Sequence, residues 1–139
     1  MTYQKTFLIV DDDPDDRYFF CEILKGINAS LICLTAFDGE DALLQCAIMK
    51  PLPDFIFLDL NMPRMDGREC LVELKKDPRL KNIPVIIFST SSTQKDIDET
   101  RKLGAAYFIT KPTDFKEIQN EIIFVMQNDW SVSTKDAAL

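Results

Sequence analysis

Short, unbroken apolar runs recur along the chain: Phe7–Val10, Leu31–Leu34, Phe55–Leu58, Val85–Phe88 and Ala105–Ile109. Strict alternation would mark strands with one wet face. Continuous runs of this length instead predict strands buried on both faces, as in a parallel sheet covered by helices. Between the runs the apolar positions take a helical period. Asp13-Pro14 opens the first such stretch, with an aspartate suited to capping and a proline suited to the first helical position. Residues 39–49 place Ala42, Leu43, Cys46 and Ala47 on one face, and residues 67–76 do the same with Cys70, Leu71 and Leu74. Thr93 followed by Asp96 has the form of a capping box for a helix over 93–103 that Gly104 would end. Phe115, Ile118, Ile122 and Val125 form the apolar stripe of a last helix.

Strand and helix therefore alternate five times. Right-handed crossovers turn that order into a doubly wound α/β sandwich around a parallel sheet. One such domain is expected over residues 1–128, followed by a polar tail over 129–139. Trp130 stands out in that tail, and the sequence leaves two roles open for it: packing back on the core, or serving a partner surface.

Composition narrows the function classes. The chain of 139 residues carries a net charge of −7 without a Lys/Arg cluster, which argues against nucleic acid. No apolar run reaches membrane-span length, and the N-terminus lacks the pattern of a signal peptide, so no membrane contact and a cytoplasmic location are expected. The four cysteines, 21, 33, 46 and 70, show no CxxC and lie in or beside apolar sequence; they are expected to be reduced core thiols. There is no histidine. Ser-His-Asp and Cys-His chemistry and histidine-ligated zinc are thereby excluded.

In open α/β sheets, sites form beyond the carboxyl ends of the strands. The residues just past the runs are Asp11-Asp12-Asp13, Asp59, Ser89-Thr90 and, after Thr110, Lys111-Pro112. Each alone has an ordinary explanation as a helix cap, a loop carboxylate, a turn hydroxyl or a solvated lysine. Together they would crowd Asp11, Asp12 and Asp59 into one cleft, an unfavourable arrangement without cations. Lys111 and one divalent ion balance the three charges, and oxygen ligands suit Mg²⁺. A cleft so balanced can receive a dianionic phosphoryl group on Asp59.

At these residues the sequence resembles the receiver domain of two-component response regulators. The likeness is carried by Leu8-Ile9-Val10-Asp11-Asp12-Asp13, Leu58-Asp59-Leu60-Asn61-Met62-Pro63-Arg64-Met65-Asp66-Gly67, Pro84-Val85-Ile86-Ile87-Phe88-Ser89 and Gly104-Ala105-Ala106-Tyr107-Phe108-Ile109-Thr110-Lys111-Pro112. Asp77–Asn82, Phe88–Ser91 and the late tryptophan narrow it to stand-alone regulators similar to the cyanobacterial phytochrome response regulator. The resemblance implies a flavodoxin-like fold with strand order 2-1-3-4-5. It implies Asp59 as phosphoacceptor, Asp12 as a direct metal ligand, Asp11 as a ligand acting through water, and Asn61 lending its main-chain carbonyl. Ser89 and Lys111 match the family's hydroxyl and lysine, Phe108 its switch aromatic, and the Lys111–Pro112 bond is expected to be cis. Thr113, where the family commonly has an aromatic, is read as a helix cap.

The implied function is a single-domain response regulator with Mg²⁺ as cofactor. A sensor histidine kinase or phosphotransfer protein would phosphorylate it. It would signal through a surface formed by the fourth helix, the fifth strand and the fifth helix that can also pair two copies, with no separate substrate to turn over. Two rival readings fit these residues less well. An aspartate-nucleophile phosphatase of the haloacid-dehalogenase type needs a second aspartate two residues after the first, where this chain has Asn61. A receiver-shaped module without phosphotransfer would not need the full set of Asp11, Asp12, Asp59, Ser89 and Lys111.

Overall fold

The structure is a computed structural model and describes residues 5–130. Five strands, β1 (Thr6–Val10), β2 (Ile32–Ala36), β3 (Phe55–Leu58), β4 (Val85–Ser89) and β5 (Tyr107–Thr110), alternate with five helices. The helices are α1 (Pro14–Ile27), α2 (Gly39–Ile48), α3 (Gly67–Lys76), α4 (Gln94–Lys102) and α5 (Phe115–Gln127). All strand pairs are parallel and the order is β2-β1-β3-β4-β5. No described helix is long and apolar enough to cross a membrane.

The unbroken apolar runs divide between two faces by the twofold alternation of strand side chains. Leu8, Val10, Ile56, Leu58, Val85 and Ile87 pack with Ala42 and Cys46 of α2 and Cys70, Leu71 and Leu74 of α3. Phe7, Ile9, Phe55, Phe57, Ile86 and Phe88 pack with Phe20, Ile23 and Leu24 of α1 and Ile122 and Val125 of α5. The second face is rich in rings: Phe20 and Phe57 lie 4.8 Å apart and Phe7 and Phe55 5.2 Å apart, within the range of favourable aromatic pairs. Trp130 takes the first of its two open roles. It is buried on this face, donates Nε1–H to the Val125 carbonyl at 2.8 Å, and stands 5.4 Å from the Tyr107 ring. Residues 131–139 of the expected tail lie outside the described residues.

Burial on both faces holds for β1, β3 and β4 but not for the edges. β2 has exposed and half-exposed positions, and Ile32 is 37% exposed. An edge strand has a neighbour on one side only, and an apolar run does not record how many neighbours it has. In the last stripe, Phe115 is 55% exposed and pairs instead with Phe19 of α1 at 5.4 Å.

The helix ends follow local chemistry. Asp13 caps α1 through the Asp15 N–H, and Asp66 and Glu69 form a reciprocal capping box on α3. Thr93 caps α4, and Gly104 ends that turn at φ 109°, a backbone region glycine enters freely. Thr113 does not cap α5. Asp114 does, one residue later, its side chain accepting from the Lys116 N–H at 3.1 Å.

Two further expectations are corrected. Cys21 of α1 and Cys33 of β2 form a disulfide, while Cys46 and Cys70 are free and buried. Spacing along the chain does not reveal that α1 lies over β2 so that the two Cα atoms stand 5.4 Å apart. The cis peptide bond among the described residues joins Lys50 to Pro51, so Lys111–Pro112 is trans. With the commoner isomer Lys111 already reaches the carboxylates, so its position does not call for the other.

Candidate phosphoacceptor site

The site is assembled by the sheet. The strand ladder runs one residue beyond the strands: Asp11 donates its N–H to Ala36 at 3.1 Å, Asp59 to Val10 at 3.0 Å, and Lys111 to Ser89 at 2.7 Å. The backbones of Asp11, Asp59 and Lys111 are therefore fixed at one edge of the sheet. Asp11, Asp12 and Asp59 each offer a carboxylate oxygen there, and these oxygens all lie within 4.8 Å of one another.

Asp11 and Asp59 are buried, and Asp12 is exposed at the mouth. Burial is the main force raising both buried acids. Asp59 is pushed up to about 6, with Lys111 and the Asn61 N–H pulling down and Asp11 pushing up. Asp11 is raised by the same desolvation, opposed by its hydrogen bonds from Lys111 and Asp13. Lys111 is driven the other way. Burial works against its ammonium, but Asp11, Asp16 and Asp59 together outweigh burial and take it to about 12. Its Nζ lies 2.7 Å from Asp11 Oδ2, 2.9 Å from Asp16 Oδ2 and 4.0 Å from Asp59 Oδ1. It also stands 5.6 Å from the centre of the Phe88 ring.

The cleft thus gathers more negative charge than one lysine offsets, through oxygen donors only. That donor set fits a hard divalent cation such as Mg²⁺ or Mn²⁺.

Ser89 is the last residue of β4 and fully buried; its Oγ accepts the Ser91 N–H at 3.2 Å. Ser91 in turn donates its hydroxyl to Asp96 of α4. Asp96 and Glu99 of α4 both pair with Arg68 of α3. Asn61 presents its N–H to Asp59. Phe108 is not in the cleft. It is half-buried on β5 and lines a recess with Ile97, Thr100 and Ala105, at the join of α4 and β5.

The loop after β3 is held shut by two features. Gly67 donates to the Leu60 carbonyl at 2.9 Å. Arg64, at φ 65°, reaches back to buried Asp38 at 2.7 Å.

Sequence reasoning missed Asp16 and Arg68. The signal for Asp16 was present, because a helix capped at Asp13 puts residue 16 in its first turn, on the same edge as the strand ends. Nothing in the sequence marks Arg68, whose partners lie 28 and 31 residues away.

Comparison with known proteins fits this geometry. Residues 7–123 match the response regulator receiver domain family. The response regulator Rcp1 of Synechocystis sp. is 35% identical, over 82% of this chain and 81% of Rcp1. Among solved structures, the phosphorylated cyanobacterial phytochrome response regulator RcpA is similar with a TM-score of 0.80 at 32% identity, covering 88% of this chain and 91% of that one. The Mn(2+)-bound form of Rcp1 gives a TM-score of 0.80 at 31% identity, covering 90% of this chain and 96% of that one.

Proposed function

The chain belongs to the response regulator receiver domain family, and on that premise we propose that it accepts a phosphoryl group on Asp59 and signals through the surface formed by α4, β5 and α5. The observation that carries the reading is the placement of Asp59: a buried carboxylate beyond a central strand, ringed by Asp11, Asp12 and Lys111. Receiver domains work with histidine kinases or phosphotransfer proteins, and the donor here is such a protein, in the cytoplasm. An Asp59 oxygen forms the new O–P bond as the N–P bond of phosphohistidine breaks. The imidazole nitrogen leaves with the bonding pair and takes up a proton.

Asp11, Asp12, Asp59 and the Asn61 carbonyl would hold Mg²⁺. When bound, that ion neutralises charge on the phosphoryl oxygens. Lys111 supplies the remaining positive charge from the chain itself. The apolar rim of Phe19 and Phe115, 43% and 55% exposed, gives a donor helix a surface beside the cleft.

Ser89 is the residue that turns on phosphorylation. Its hydroxyl leaves the Ser91 N–H for a phosphoryl oxygen, the β4–α4 connection loosens, and Phe108 follows into the recess under α4. This is a local charge change biasing a two-state element. The remodelled face, with Tyr107 and Phe124 on it, meets a target or a second copy. The single-domain reading rests on the likeness to Rcp1, which the match covers over 81% of its length.

The test is to incubate the protein with a small acyl phosphate and Mg²⁺ and weigh it intact. One phosphoryl increment is expected, absent from Asp59→Asn. No increment, or one that survives the substitution, would overturn the reading.

A further inference from the structure

Lys111 is shared unequally. Its ammonium bonds Asp11 and Asp16 at 2.7 and 2.9 Å and stays 4.0 Å from Asp59. Asp11 is a wall of the cleft. Asp16 is different: it comes from the first turn of α1 and its side chain is 39% exposed, so it has water as an alternative partner. It is also a carboxylate beyond the Asp11, Asp12 and Asp59 cluster, and the third around this ammonium. Lys111 and one divalent cation would balance Asp11, Asp12 and Asp59; Asp16 leaves the cleft one charge too negative. That excess opposes a dianionic group, and the bond to Asp16 holds the lysine towards α1.

We propose that Asp16 is a positioning residue that holds Lys111 back from Asp59, so that phosphoryl transfer requires the ammonium to exchange Asp16 for a phosphoryl oxygen. Asp16 touches neither the reacting oxygen nor the donor; it acts through Lys111. It sets a threshold, lowering the rate at which the cleft is filled by small donors. This inference rests on the function proposed for Asp59.

The experiment compares the unsubstituted chain with Asp16→Asn, Asp16→Ala and Asp16→Glu. Each is phosphorylated by acetyl phosphate with Mg²⁺, in which the P–O bond of the donor breaks and acetate leaves with the electron pair. The rate constant at saturating donor is expected to rise roughly two- to fivefold in Asp16→Asn and Asp16→Ala, the range open to a partly exposed ion pair. Asp16→Glu, which keeps the charge, should return most of that gain. A purely structural role would slow transfer or leave it unchanged. The second measurement is the side-chain Cε–Nζ resonance of Lys111 by NMR, without metal or donor. It should move in the Asn and Ala variants and return towards its starting position in the Glu variant.

An unchanged or slower rate in Asp16→Asn and Asp16→Ala would overturn the proposal, as would an unmoved Lys111 resonance in those variants or faster transfer in all three variants alike. If the unsubstituted chain takes no phosphoryl group, the function assigned to Asp59 fails. The Lys111 resonance then still decides whether Asp16 holds the ammonium.

Discussion

Gly67 lies so close to Asp59 that a methyl group in place of its hydrogen would overlap the Asp59 carbonyl oxygen and stand 2.7 Å from the Cα of Leu60. The obstructing atoms are backbone, which cannot turn aside as a side chain can. Gly67→Ala should therefore destabilise the protein by about 1–3 kcal/mol, the usual range for overpacking. It should also displace the loop that follows Asp59. Chemical denaturation measures the first effect. A weakened Mg²⁺ affinity, read by calorimetry, measures the second.

The burial of Asp59 makes stability depend on pH in an unusual direction. Its folded-state pKa is about 6, above the ordinary aspartate value near 3.9. Between those values the folded protein keeps a proton that the unfolded chain has released. Stability in chelator-containing buffer should then fall as pH rises from about 4 to about 6, and level off above. The two-unit gap bounds the loss at about 3 kcal/mol. Asp59→Asn should flatten that part of the curve and be the more stable protein at neutral pH. Denaturation midpoints collected across the pH range check both.

Arg68 fastens α3 to α4 through Asp96 and Glu99. Arg68→Ala should cost the whole molecule little, about 1 kcal/mol or less, because the pair is partly exposed. Locally the effect should be plain. Amide hydrogen exchange in α4 should quicken severalfold while α1 and β1 keep their protection. Equal protection of α4 in both proteins would show that its packing alone holds it.

The disulfide between Cys21 and Cys33 closes a loop with a sequence separation of 12. A loop of that size is worth about 3 kcal/mol in the chain-entropy account. Cys21→Ser should lower oxidised-state stability by up to that amount and leave the reduced-state value nearly unchanged. Counting reactive thiols in denaturant, before and after reduction, reports the state of the bond directly.

The strands that the sequence announced most accurately are those with neighbours on both sides. Phe55–Leu58 is β3 to the residue, because a strand buried everywhere must be apolar everywhere. The apolar runs at the edges start too early, at Leu31 and Ala105, whereas the strands begin at Ile32 and Tyr107, since at an edge half-exposure loosens the link between apolar sequence and sheet. The residues at the strand ends were legible for a related reason. A polar side chain at or just past the end of a buried run has few places to go, so Asp11, Asp59, Ser89 and Lys111 arrive at one rim once the sheet is parallel. Pairings that depend on how helices sit against each other were not legible. Arg68 with Asp96 and Cys21 with Cys33 are set by helix rotation and approach, which no local pattern encodes. Asp16 falls between these cases: its helix position was predictable, but its choice of Lys111 over water was not.

The chain has one tryptophan. Trp130 is buried against Tyr107, and Phe124 lies 6.2 Å from its ring, so the molecule carries a fluorophore of its own on the β5–α5 face. Light absorbed by Tyr107 passes to an indole 5.4 Å away, and the colour of the emission follows the water that reaches that ring. Any event that opens, covers or shifts this face is thereby written into the protein's own spectrum, without a label.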